Sequence, residues 1–173
     1  MTEKQEKILE AALKLFAREG YASVSTSKVA RTAGVSEGLI FRHFGSKEGL
    51  LNALLEESQA AARAVMAEVL MTSEPKEIIR KILAVPFHVN ESDYEMWRLT
   101  YALKWQTDRY RDDYQEPVKL VLEKAFEKLG YEDPAAEVEL IYMFLDGAAT
   151  ALLLHRPERT EAILKALEAK YHL

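Results

Sequence analysis

Apolar residues along the chain recur at helical spacing. Leu9, Leu13 and Phe16 lie three or four residues apart, with Ile8 and Ala12 beside them and Glu10, Lys14 and Arg18 opposite, the 3.6-residue period of an amphipathic helix. Gly20 is placed to stop that helix, with Tyr21 folding back behind it. Ser25 or Thr26 caps a short second helix whose Val29, Ala30 and Ala33 face inward. Gly34 breaks it, Ser36 caps a third, and Gly45-Ser46 ends the third and caps a fourth. The fourth is long, with one apolar stripe from Leu50 through Leu54, Ala61 and Val65 to Leu70.

Prolines punctuate the rest. Pro75 opens a helix that Pro86 ends or kinks, and another runs from about Ser92 to Tyr110. Pro117 starts one that Gly130 stops. Asp133-Pro134 is a cap followed by proline at the first helical position, opening an apolar helix to about His155, and Pro157 begins the last. No segment alternates as a strand, so the expected fold is all-α. It has an N-terminal three-helix head over residues 1–47, joined by the long fourth helix to a C-terminal helical bundle over 48–173.

The third helix, Glu37-Gly-Leu-Ile-Phe-Arg-His-Phe44, is too short to be stable alone. On a wheel of 100° per residue Ile40 and Phe44 point toward helices one and two. Gly38 and Arg42 lie opposite, flanked by Leu39 and Phe41, with His43 at the shoulder. An outward glycine costs a helix about 1 kcal/mol relative to alanine, which is intelligible where something must approach closely. Two short helices joined by a glycine-containing turn make a helix-turn-helix, whose second helix enters the DNA major groove. Arg42 then pairs with guanine or holds a phosphate, and His43 donates to a phosphate. Thr26 and Lys47 stand at the starts of the second and fourth helices, where free amides attract phosphate on either side of the inserted helix.

Charge changes this picture little. The chain of 173 residues has net charge −5. Its first 50 residues hold 8 Lys/Arg against 6 Asp/Glu, and the remainder 15 against 22, a mildly basic head on an acidic body. There is no cysteine, which excludes disulfides and thiol chemistry. His43, His88, His155 and His172 are scattered without metal spacing, and no phosphate-cradling glycine loop or nucleophile elbow is present. We therefore expect no enzyme activity, no metal and no cofactor. The apolar run from Leu140 to Leu154 is interrupted by Asp146 and shorter than a membrane span, and the N-terminus lacks a signal peptide's apolar core; the reading is a cytoplasmic protein.

The block Thr26-x-x-x-Val-Ala-x-x-Ala-Gly-Val-Ser, followed by Gly38-Leu-Ile-Phe-Arg-His-Phe-Gly-Ser-Lys-Glu-Gly-Leu-Leu51, resembles the DNA-binding signature of the TetR family of bacterial transcriptional regulators. The resemblance covers about residues 5–55. It implies a homodimeric repressor that binds a near-palindromic double-stranded DNA operator. Its C-terminal domain would bind a small-molecule effector and dimerise through its last two long helices. Ser36 and Glu37 complete the expected DNA-contacting set. Phe41 stands where the family usually has tyrosine, so that residue's phosphate-contacting hydroxyl is lacking. Leu39 is suited to a thymine methyl. Glu37 either accepts from a cytosine amino group or simply favours the helix dipole.

In the C-terminal part, Phe87, Met96, Trp97, Tyr101, Trp105 and Tyr142 form an aromatic and soft set of the kind that lines ligand pockets, and equally of the kind that fills a bundle core. Trp97, Tyr101 and Trp105 share one face. Asp146 either anchors a ligand's cation or hydroxyl or makes a salt bridge. For the dimer seam the expected residues are Leu145, Ala148, Ala149 and Leu152, paired with Ile163, Leu164, Leu167 and Tyr171. A second reading keeps the DNA-binding head but has it answer to a protein partner, or organise DNA, with no small ligand.

Overall fold

A computed structural model describes residues 1–90, 93–104 and 115–173. Among them the chain forms α1 (Glu3–Glu19), α2 (Thr26–Ala33), α3 (Glu37–Phe44), α4 (Lys47–Leu70), α5 (Pro75–Ala84), α6 (Tyr94–Lys104), α7 (Glu116–Lys128), α8 (Pro134–His155) and α9 (Thr160–Lys170), with a 3-10 turn at Val85–His88. The described residues contain no strand, so the fold is all-α as expected. They group into two compact units: residues 1–62 with α6, and residues 63–90 with α7, α8 and α9.

In the first unit each helix boundary has a local cause. Thr2 and Gln5 form a reciprocal capping box at the start of α1, with Gln5 N–H on Thr2 Oγ1 at 3.3 Å and Thr2 N–H on Gln5 Oε1 at 2.8 Å. Gly20 at φ +84° closes α1 by donating to the Phe16 carbonyl, and Tyr21 folds back edge-on to Phe16 with ring centroids 5.1 Å apart. Ser25, rather than Thr26, caps α2, accepting from Lys28 N–H at 3.2 Å. Gly34 at φ +68° turns the chain into α3.

The core of this unit gathers Ile8, Ala12 and Phe16 of α1, Val29 of α2, Ile40 of α3 and Leu50, Leu51 and Leu54 of α4. It also takes in Leu99 and Leu103 of α6, both almost fully buried. Arg18 reinforces that join with a forked hydrogen bond, its Nε and Nη2 lying 3.0 and 2.8 Å from one oxygen of Glu95. The reading helix is thus held by a core that a helix from far along the chain completes.

In the second unit Pro75 begins α5, and Glu74 caps it by accepting from Glu77 N–H at 2.7 Å. Pro86 ends that helix in the 3-10 turn. Ile79, Ile82 and Leu83 of α5 pack with Val118, Leu122 and Phe126 of α7 and Ile141 of α8. Asp133 caps α8 as its sequence predicts, accepting from Ala136 N–H at 3.0 Å. Phe126, Tyr131 and Tyr171 cluster with centroids 4.9 to 6.4 Å apart. Burial, followed by the Glu137 carboxylate, pushes the Tyr171 hydroxyl up to about 12. The last helix begins at Thr160 rather than Pro157: Arg156 is left-handed (φ +45°), and Arg159, at the cap position, makes no capping bond with its side chain.

At 22 residues α8 is long and apolar enough to cross a membrane by length and composition, longer than the interrupted run from Leu140 to Leu154 suggests. A core helix of a soluble protein passes the same test. One face of α8 packs inward through Val138, Ile141 and Ala149. The other leaves Leu140, Met143 and Leu154 respectively 53, 72 and 71% exposed.

Candidate nucleic-acid interface

The short third helix is held from one side only. Ile40 is fully buried, Leu39 and Phe44 pack partly against the core, and Gly38, Phe41 and Arg42 are exposed. The wheel assigned these sides to Ile40, Phe44, Gly38, Phe41 and Arg42; Leu39, expected on the outer flank, instead packs partly against the core. Around Gly38 a Cβ would meet nothing within 4 Å, so no packing inside the chain requires a glycine there. Arg42 makes no ion pair among the described residues, and Phe41 is 48% exposed, an aromatic ring offered to the outside beside it. His43 sits half-buried against Phe44, with ring centroids 6.2 Å apart. Ser36 occupies the cap position but makes no capping bond with its side chain, which leaves its hydroxyl at the exposed start of the helix.

The flanks of this face are held by side chains of the same unit. Thr26, the first residue of α2, donates its hydroxyl proton to Glu37 Oε1 at 2.5 Å, tying the first turns of α2 and α3 together. Lys47, the first residue of α4, donates to the Ala22 carbonyl at 3.3 Å and lies 4.4 Å from the centre of the Tyr21 ring. Burial pushes the Lys47 ammonium below the ordinary lysine value. It still has three N–H donors, of which the carbonyl takes one. Ser46 caps α4 by accepting from Gly49 N–H at 2.9 Å. Elsewhere in the unit Lys7, Lys14 and Lys28 pair with Glu3, Glu10 and Glu19, and Arg18 with Glu95, while Arg31 and Arg42 are exposed.

Three features of this site escape the sequence reading. Tyr21 and Ala22 hold Lys47, although nothing in their spacing marks them as its partners. Gly49 is required by close approach, since a Cβ there would overlap the Phe44 carbonyl oxygen. The available signal is a glycine in the first turn of a helix that needs none. Finally, α6 belongs to the core beneath the reading helix.

The residues expected in a ligand pocket divide between the two units. Met96 packs on the first core, and Trp97 stacks on Tyr101 at 6.2 Å, with Lys104 5.7 Å from the Tyr101 ring. In the second unit Phe87 stacks on Phe144 at 6.5 Å, Lys119 lies 5.4 Å from the Tyr142 ring, and Asp146 is exposed. Trp105 lies outside the described residues. Of the residues expected at a dimer seam, Leu145, Leu164, Leu167 and Tyr171 pack against the core of the second unit, and Ala149 is buried. Ala148 and Leu152 are half-buried, and Ile163 is exposed.

With this geometry in view, comparison with known proteins is specific. Residues 8–54 match the profile described as "Bacterial regulatory proteins, tetR family". The chain is 31% identical over 153 residues to the HTH-type transcriptional repressor AcnR of Corynebacterium glutamicum, covering 84% of this chain and 77% of that protein. It is 34% identical over 127 residues to AcnR of Corynebacterium diphtheriae, covering 73% of this chain but only 63% of that relative's length. The fold is similar to the crystal structure of the TetR family transcriptional regulator PfmR from Thermus thermophilus, with a TM-score of 0.74 at 24% identity, covering 98% of this chain and 95% of that one.

Proposed function

The chain belongs to the TetR family of bacterial regulators, a family of non-enzymes, and on that premise we propose that it is a dimeric repressor that reads a near-palindromic operator with α3 and is released by a small-molecule effector. The observation that carries the DNA reading is the outer side of α3. Gly38 is open and without internal reason, Arg42 is exposed beside it, and Thr26 and Lys47 stand at helix starts on either flank. A duplex can reach Gly38 as closely as a backbone allows, Arg42 can pair with a guanine or a phosphate, and the Ser36 hydroxyl and the first amides of α2 and α4 face phosphate. Phe41 and Leu39 add apolar contact of the kind a thymine methyl accepts.

One inserted helix reads too few base pairs for a specific genomic site, which favours two copies and a two-fold operator. Among the described residues, the face of α8 that carries Leu140, Met143, Gly147 and Leu154 is an exposed apolar surface, and Ile163 of α9 is exposed as well. We favour it, together with Ile163, over the Leu145 side of α8, which packs partly against its own core. Apolar exposure of this kind marks an association surface, and a second copy supplies the matching one. A role on operator DNA supports the reading of a cytoplasmic protein.

Effector control requires only a few kcal/mol of differential affinity between a DNA-fitting and a non-fitting state. The continuous helix α4, which begins beside the reading helix, is the element through which such a shift would travel. Selection of duplexes from a random DNA pool with the purified protein tests the whole reading. A dyad-symmetric consensus supports it, and failure to enrich any sequence at low salt rejects it. A screen of small metabolites by thermal shift then separates effector control from control by a protein partner, since a ligand at a hundred times its Kd adds about 2.7 kcal/mol of stability.

A further inference from the structure

We propose that Glu37 acts as an internal stand-in for a DNA phosphate, holding the Thr26 hydroxyl in the free protein and surrendering it when α3 docks; the inference rests on the DNA-binding reading above. A threonine hydroxyl has one proton to donate. Here that proton goes to Glu37 Oε1 at 2.5 Å, in the range of a charge-assisted bond. While that bond stands, Thr26 presents only acceptor lone pairs to an approaching phosphate, which is itself an acceptor. Thr26 opens α2 and Glu37 opens α3, so the carboxylate lies at the first turns of two helices, where backbone N–H groups favour a negative oxygen. Glu37 has no cationic partner among the described residues, so its charge is answered only by this hydroxyl and the helix ends. It therefore resembles the group it displaces in charge, acceptor character and location. Lys47 differs: its carbonyl partner takes one of three donors, and the others are available without any exchange. Docking thus involves one contact that is ready and one that must change hands.

The test uses the full chain and two fluorescein-labelled duplexes, one of random sequence and one recovered by selection, with affinity read by anisotropy across a salt series. Thr26→Val is introduced into the wild type and into Glu37→Ala, which leaves no side-chain oxygen to accept from Thr26. In the wild type, Thr26→Val should cost less than about twofold, because the hydroxyl is already engaged. In the Glu37→Ala background the same change should cost about fivefold, and Glu37→Ala alone should tighten both duplexes by about fivefold, the size of one water-screened charge contact. The log–log salt slope should steepen by about one. Equal cost of Thr26→Val in both backgrounds, or binding unchanged or weakened by Glu37→Ala, overturns the inference while leaving DNA binding intact. Failure of the wild type to bind either duplex at low salt rejects the parent reading and this one with it. Melting temperatures of all four proteins exclude misfolding as a cause, and Glu37→Ser supplies the same comparison should Glu37→Ala melt early.

Discussion

Replacing Gly38 with alanine should stabilise the protein and weaken its grip on DNA. The added Cβ meets nothing within 4 Å, so it introduces no clash and removes glycine's extra backbone entropy from a short helix. In a helix interior that exchange is worth about 1 kcal/mol, and in the first turn about half of that. For a chain of this size about 0.5 kcal/mol raises Tm by roughly 1–2 °C. The same methyl stands on the exposed side, level with Arg42, and holds a duplex off by about the thickness of a methyl group. Loss of close packing and of one aligned hydrogen bond should weaken operator binding at least about tenfold, equivalent to about 1.4 kcal/mol. Gly49→Ala is the control of opposite sign. Its Cβ would overlap the Phe44 carbonyl, so the α3–α4 joint must shift, at a cost of about 1–3 kcal/mol. Differential scanning calorimetry at one fixed protein concentration gives the stabilities, and anisotropy with the selected duplex gives the affinities. A Gly38→Ala protein that melts higher and binds as tightly as the wild type would refute the argument that this glycine exists for close approach.

Further outcomes follow from the same geometry. Arg42→Ala and Lys47→Ala should both weaken DNA binding; the second should flatten the log–log salt slope by about one unit and leave sequence preference unchanged, as selection with each variant will show. Met143→Glu combined with Leu154→Glu, on the uncovered face of α8, should shift the protein from dimer to monomer in sedimentation velocity without lowering its helix content. Leu99→Ala, in α6, should cost about 2–4 kcal/mol and loosen the first unit, seen as loss of hydrogen-exchange protection in α1 and α3. Tyr171 ionises at about 12 in the folded chain and near its ordinary value of 10.0 when unfolded, so its contribution is present below pH 10 and is lost as pH rises toward 12. With allowance for solvent screening of this half-buried group the loss is about 1 kcal/mol, and alkaline unfolding of Tyr171→Phe should lack that step.

Much of this architecture was legible because caps and stops are local. The glycines at 20, 34, 45 and 130 act through their own backbone, and Ser25 and Asp133 through side chains that reach only three residues on; α1, α2, α3, α7 and α8 begin or end at them. The outward side of α3 was legible for a related reason: burying Ile40 and Phe44 of a two-turn helix leaves Gly38 and Arg42 outside, although Leu39 also turned partly inward. What stayed hidden is non-local. Periodicity tells that Leu99 and Leu103 are buried, not which core receives them. It also fails on α8, where Ile141, Leu145 and Ala149 on one side and Leu140, Met143 and Leu154 on the other are apolar alike, so the wheel gives no orientation. The resting place of Lys47 on Tyr21, and the contact that makes Gly49 indispensable, depend on angles between helices that no spacing encodes.

The join between α1 and α6 bears on how such proteins can be recombined. Leu99, Leu103 and Glu95 come from a segment far along the chain, yet they complete the scaffold beneath residues that open it. A chimera that transplants only the first sixty or so positions onto a foreign body would carry a hollow where those leucines belong and an arginine deprived of its carboxylate. Swapping operator preference between relatives is therefore an exchange of two discontinuous pieces, and crossover points drawn after α4 alone should yield poorly folded hybrids.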